Sequence, residues 1–253
     1  MALLEIHDLR HRFGGIAALD GVDLEVAEGR ITGLIGPNGA GKTTLFNAVS
    51  GIFPPDGGTV RFGGIDVTSW RADRLVGAGI ARTFQVPRML ANLTVLENLM
   101  LYGKNQPGEA FWAAVVRSRN SSRRELEVRE RAVDVARRLE ILAVGDERAA
   151  DLSGGQKKLL ELGRALMADP RLILLDEPAA GVNPALVKRL AEHIIELKAR
   201  GLTFLVIEHN MGLIAELCDH VVVLAQGRRL TEGRFAEVRA DLRVQEAYMG
   251  RRT

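Results

Sequence analysis

A chain of 253 residues, 47% of them hydrophobic, can bury a full core and suits one α/β domain with a satellite lobe. Its 34 basic and 32 acidic side chains leave a formal charge of +2, which argues against a strongly cationic nucleic-acid binder. The single cysteine, Cys218, excludes an intramolecular disulfide or a multi-cysteine metal site, and reads as a small buried hydrophobe in a reducing compartment. Met1-Ala2-Leu3-Leu4-Glu5 lacks the basic segment and apolar stretch of a secretory signal, and no apolar run approaches the ~18 residues of a membrane span. Any membrane association is therefore expected through a partner.

Near the N-terminus, Val22-Asp23-Leu24-Glu25-Val26 alternates apolar and polar and turns at Glu28-Gly29, which predicts half-buried strands of a small antiparallel sheet. Residues 31–35 are uncharged and mostly apolar, as in a strand covered on both faces of a parallel sheet. Gly36-Pro37-Asn38-Gly39-Ala40-Gly41-Lys42-Thr43 follows, and then a helical pattern over 44–50. This fits G-x-x-x-x-G-K-[ST] in its required strand and helix context. The glycines let successive N–H groups curl around phosphates, Lys42 reaches the β/γ oxygens, and the Thr43 hydroxyl can ligate Mg²⁺. Gly36, Pro37, Asn38, Gly39, Ala40, Gly41, Lys42, Thr43 and the following Thr44 are the candidate nucleotide-binding residues.

Residues 59–66, broken at Gly63-Gly64, predict a hairpin. Ile80-Ala81-Arg82-Thr83-Phe84 leads to Gln85 at an expected edge of the core, where an amide could contact Mg²⁺ or an attacking water. From about 86 to 152 strand signals give way to helical ones. Residues 122–142 place Leu126, Val133, Ala136 and Leu139 at helical spacing. Glu125 and Arg129, Glu127 and Arg131, and Asp134 and Arg138 stand at i,i+4, the spacing of ion pairs on a solvated face rather than of a headgroup or nucleic-acid patch. Leu152-Ser153-Gly154-Gly155-Gln156 then opens a helical pattern over 157–167. A serine and two glycines there leave backbone N–H groups at a helix N-terminus, a second anion site in one chain.

Residues 172–175 and 204–207 are two more doubly buried strands, ending in Asp176-Glu177 and Glu208-His209. In open α/β sheets ligands bind beyond the carboxyl ends of strands, so these acids, the histidine and the phosphate loop should converge. Asp176 would stand beside Mg²⁺ and Glu177 would act as general base on the water that attacks the γ-phosphate. His209 could hydrogen-bond that phosphate or Glu177, whereas His7, His11, His193 and His220 read as structural or exposed. Gln226-Gly227 predicts a late hairpin, followed by a helical tail to Met249.

In this order and spacing, GPNGAGKT, Gln85, LSGGQ, LILLDEP and His209 resemble the ATP-binding cassette family of transport ATPases over nearly the whole chain. The resemblance implies an α/β fold: a P-loop NTPase (RecA-like) core with an antiparallel β subdomain and an inserted α-helical subdomain. It divides the cassette into a core lobe of 1–86 and 165–233, a helical lobe of 87–164 and a helical tail of 234–253. It implies ATP hydrolysis with ATP and Mg²⁺ bound, with Glu177, His209 and Gln85 catalytic and Thr43, Gln85 and Asp176 facing the metal. Because the family's cassettes pair head to tail, Leu152, Ser153, Gly154, Gly155 and Gln156 would close on ATP held by a second cassette, identical or paralogous. Phe13 matches the position of the family's adenine-stacking aromatic, the alternative being a packed core ring. The family's loop after the catalytic acid commonly ends in Leu-Asp, whereas Val182-Asn183 stands here, which removes a charge from any cross-subunit pair.

ARTFQ (81–85), EPAAG (177–181), IEHNM (207–211) and EAYMG (246–250) are similar to the ATPase subunits of branched-chain amino-acid importers. That branch implies a peripheral protein on the cytoplasmic face of the cell membrane. Its partners would be integral permeases and a second cassette, with an extracytoplasmic solute-binding protein acting indirectly and no nucleic acid. Val86, Pro87, Met89 and Leu90 could line the groove for a permease helix or pack within the helical lobe. A lipopolysaccharide-export ATPase and an iron–sulfur assembly scaffold are the alternatives. The DNA-repair branch would need a long coiled-coil insertion and the translation branch two cassettes.

Overall fold

The computed structural model describes residues 1–83, 90–103 and 119–249. Contacts divide the chain into two units, one of Met1–Arg82, Arg171–Ala180 and Pro184–Thr253, the other of Thr83–Pro170 with Gly181–Asn183.

The first unit holds two sheets. Strand β1 (Ala2–Phe13) pairs antiparallel with β2 (Ile16–Ala27), aligning Ile6 with Leu24 and Glu5 with Glu25. In β2 the sequence alternation becomes a two-faced strand: Val22, Leu24 and Val26 are buried while Asp23 and Glu25 face water. Strand β3 (Ile31–Ile35), helix α1 (Lys42–Val49), the hairpin β4 (Gly57–Phe62) and β5 (Ile65–Asp66), helix α2 (Ala72–Ala78) and strand β6 (Ile80–Arg82) follow. The first sheet has the order β2-β1-β4-β5.

The second sheet adds β7 (Leu172–Asp176), β8 (Thr203–Ile207), β9 (His220–Ala225) and β10 (Arg228–Gly233) in the order β10-β9-β3-β8-β7-β6. Its five strands from β9 to β6 run parallel, and β10 closes one edge antiparallel. Every residue of β3, β7 and β8 is buried, as their uncharged runs predict. The β9–β10 turn needs two left-handed residues, and Gln226 and Gly227 supply them with φ of 51° and 74°. Leu4, Ile6, Leu34, Phe46, Leu174, Leu205 and Val222 belong to one apolar core that joins both sheets to α1.

Cys218 follows a short helix (Met211–Leu217), and its sulfur lies where a Cβ on Gly33 would come within 2.9 Å. Burial, with the Asp219 charge adding to it, pushes the thiol up to about 12. At pH 8 this leaves a thiolate fraction on the order of 10⁻⁴. Native Cys218 is therefore expected to react with a disulfide reagent at least ~100-fold more slowly than in the urea-unfolded chain, as absorbance kinetics would record. The sign follows from linkage: the folded state holds the proton longer. This contribution to stability is complete below the unfolded thiol's range and is lost as pH rises toward 12.

The second unit is helical, with α3 (Val95–Met100), α4 (Arg119–Arg138) and α5 (Gly154–Met167). Helix α4 stops earlier than the sequence pattern predicts, since Glu140 takes a left-handed φ of 56° before a 3₁₀ turn at Leu142–Val144. Its buried stripe is Ala132, Val135 and Ala136, continued by Leu139, whereas Leu126 is 55% exposed and Val133 is half-buried. Gly163 permits the close packing: a Cβ there would meet Leu99 at 2.8 Å and Leu139 at 3.1 Å. The α4 charges pair, but not as the three i,i+4 pairs expected. Glu127 takes Arg123 and Arg124, Asp134 takes Arg137, and Arg131 reaches Asp169 and the Leu166 carbonyl at the end of α5. Among the described residues no helix is long and apolar enough to cross a membrane.

Candidate nucleotide site

The loop after β3 enters α1 through positions where a side chain has no room. Gly36 has φ of 150°, and a Cβ on it would lie 2.1 Å from the Leu224 carbonyl oxygen; at Gly41, φ is 101° and the Ala18 oxygen would be 2.5 Å away. The loop is braced from behind: Gly227 N–H donates to Ala40 O at 3.1 Å, and Asp20 N–H to Gly227 O at 2.8 Å. Lys42 folds back over the loop, donating from Nζ to Gly36 O at 2.7 Å and Pro37 O at 2.9 Å. Burial lowers its pKa, while the Glu177 and Asp176 charges nearby oppose that shift. Asn38, Gly39 and Thr43 are exposed, Pro37 and Thr44 half-buried, and Ala40 buried.

Asp176 is the last residue of β7 and is buried; Glu177 leaves the strand in a left-handed conformation, φ 47°, with its N–H donating to Ile207 O at 2.9 Å. A non-glycine residue held there is strained, as functional positions often are. From the end of β8, buried Glu208 accepts from Ala179 N–H at 2.7 Å, His209 N–H at 2.9 Å and Asn210 N–H at 3.1 Å. One carboxylate thus fixes both loops, and His209 Nε2 lies 2.9 Å from Glu177 Oε1. Arg82, closing β6, donates to Asp176 Oδ2 at 2.8 Å and to Asn47 Oδ1 at 2.7 Å.

Phe13 is 53% exposed, which sets aside the packed-core alternative. Its ring stands edge-on to His11 and Phe53, themselves stacked at 4.2 Å, so His11 is a packed structural residue as expected. Gln85 lies outside the described residues, as do Val86, Pro87 and Met89; Leu90 is 53% exposed.

In the helical unit, Ser153 caps α5. Its hydroxyl accepts from Gln156 N–H at 3.4 Å, and the Gln156 side-chain oxygen accepts from Ser153 N–H at 2.8 Å. Among the described residues no hydrogen bond occupies the N–H of Gly154 or Gly155. Leu152 and Gly155 are buried, while Ser153 and Gly154 are exposed, with open space where a Gly154 Cβ would stand.

A strand, a glycine-crowded loop and a helix, with an acid and a histidine following neighbouring parallel strands, form the arrangement expected of a nucleotide hydrolase. The family model described as ABC transporter matches residues 19–180. The chain belongs to the ABC transporter family. The cassette is 41% identical to a Methanocaldococcus jannaschii protein named "Probable branched-chain amino acid transport ATP-binding protein LivG", covering 99% of this chain and 98% of that one. It is 36% identical, over 98% of both chains, to the Pseudomonas aeruginosa high-affinity branched-chain amino acid transport ATP-binding protein BraF. A crystal structure of the ADP conformation of an ABC transporter's ATP-binding cassette superposes with a TM-score of 0.86, at 39% identity and 99% coverage of both chains. This chain is thus an ATP-binding, ATP-hydrolysing cassette with the α/β fold of that family.

Two residues of the cassette take roles that the motifs do not spell out. Arg82 carries no role in the sequence motifs, although a lone arginine at the end of a buried strand needs a partner carboxylate, here Asp176. Glu208 stands with the converging strand-end acids, and its own task follows from burial: an acid closing a doubly buried strand must be satisfied by backbone donors.

Proposed function

We propose that this cassette powers import of branched-chain amino acids through partner permeases, with ATP bound along residues 36–43 and hydrolysed by Glu177. The observation that carries the substrate class is the full-length similarity to relatives named for branched-chain amino acid transport. The chemistry rests on the 2.9 Å contact between His209 and Glu177 beside the phosphate loop. Glu177 takes a proton from the attacking water, and His209 holds the carboxylate in place from the opposite side. Lys42 exchanges its two carbonyl partners for phosphate oxygens, while Phe13, exposed at the end of its aromatic stack, meets the adenine ring.

The donor set suits Mg²⁺. The Thr43 hydroxyl and Asp176 carboxylate are hard oxygen donors, and among the described residues no cluster of three His, Cys, Asp or Glu forms a metal cage. Mg²⁺ ordinarily binds through one or two protein oxygens plus substrate phosphates. When bound, it neutralises the charge that develops on the transferred phosphoryl group. Gln85, following β6, would complete this set.

The partners in this reading are two integral permeases, a second cassette that receives the Leu152 to Gln156 loop, and an extracytoplasmic binding protein that acts through the permeases. The cassette then sits on the inner face of the cell membrane. The test is reconstitution of the cassette with its permeases and second cassette in proteoliposomes, with binding protein added outside. ATP-dependent uptake of labelled leucine is expected. A complex that hydrolyses ATP yet moves no leucine, isoleucine or valine would overturn the substrate class.

A further inference from the structure

We propose that Arg82 is a positioning residue for the metal-side carboxylate, a buried strut that holds Asp176 in fixed register with helix α1. One arm of its guanidinium donates to Asp176 Oδ2 at 2.8 Å; the other donates to Asn47 Oδ1 at 2.7 Å and to Ser50 Oγ at 3.0 Å. Ser50 Oγ in turn donates to Phe46 O at 2.7 Å, which ties the strut into the backbone of the helix. The side chains of Arg82 and Asp176 are only 9% and 4% exposed, so the pair works where water screens little.

The consequence lies at the other end of α1. Thr43 stands in the first turn of the helix whose last turn Arg82 grips, and Asp176 stands at the tip of β7. A short helix is rigid, so fixing Asp176 to the last turn fixes its distance from the Thr43 hydroxyl in the first. These are the two described groups assigned to Mg²⁺, and the inference rests on that assignment. The planar fork is essential, because a lysine ammonium in the same place is a point donor and does not span both partners. Outer partners that orient metal-facing groups commonly govern metal affinity by 10–100-fold.

The experiment measures Mn²⁺ binding to the full-length chain saturated with ADP, by electron paramagnetic resonance, and ADP affinity in EDTA separately. Arg82→Gln and Arg82→Lys are expected to weaken Mn²⁺ by roughly 10–100-fold while metal-free ADP affinity stays within about twofold. Asn47→Ala combined with Ser50→Ala leaves the Arg82–Asp176 pair but cuts the helix end of the strut, and should shift Mn²⁺ affinity in the same direction by a smaller factor. A purely structural arginine would lower the melting temperature and leave Mn²⁺ affinity of the folded chain unchanged, and that result overturns the proposal. Should both Arg82 variants fail to fold, the Asn47 and Ser50 double variant decides alone: wild-type Mn²⁺ affinity sinks the strut. Asp176→Asn separates the two levels. If it leaves Mn²⁺ binding intact, the metal assignment itself is wrong. If it weakens binding and the Arg82 variants do not, only the strut is wrong.

Discussion

Glu177→Gln is expected to keep ATP affinity within about threefold and to lower kcat by roughly 10²–10⁴, the range in which a positioned general base contributes. The amide retains the shape of the side chain and can still accept a hydrogen bond from His209, which stands 2.9 Å from the carboxylate now. It has lost only the ability to take a proton from water. The fold should survive, because the strained backbone at Glu177, φ 47°, is held by its N–H bond to Ile207 O rather than by its side chain. Single-turnover hydrolysis in the assembled transporter, alongside equilibrium binding of a fluorescent ATP analogue, separates the two effects. Wild-type turnover in this variant would remove Glu177 from the chemistry. A loss of binding equal to the loss of turnover would instead assign it to holding nucleotide.

Much of this site can be read along the chain because its parts obey local rules. Residues 36–43 announce themselves since the tight turn from β3 into α1 has no room for side chains at Gly36 and Gly41, so sequence spacing and backbone geometry carry the same information. The three core strands are legible because burial on both faces demands runs that are mostly apolar and, up to the terminal Asp176, uncharged. What escapes is everything set by tertiary pairing. Arg82 meets Asp176, 94 residues away in sequence, because β6 and β7 are neighbours in the sheet. Glu208 looks like any strand-end acid until three backbone donors from two loops are seen to converge on it. On α4 the apolar periodicity was visible, but several stripes share one helical period. Packing against α3 and α5 around Gly163 selects Ala132, Val135 and Leu139 and leaves Leu126 in water.

Ser153→Arg tests whether the second loop serves a nucleotide that another cassette holds. In the isolated chain the change removes a helix cap, worth about 1 kcal/mol, and alters nothing in the unit that carries residues 36–43. The melting temperature should fall by a few degrees and ATP affinity should stay within about twofold. In the assembled transporter a guanidinium and its long stem would occupy the approach to Gly154 and Gly155, whose N–H groups no described residue uses. If those donors complete a phosphate site in trans, their loss should lower turnover by on the order of 10²-fold or more, as removal of preorganised donors does elsewhere. Unchanged turnover in the complex would refute the trans arrangement. A mixed transporter carrying one altered and one intact cassette sharpens the test. The altered loop should then disable the site whose phosphate loop belongs to its partner, and leave its own phosphate loop labelled by a photoreactive ATP analogue at the normal level.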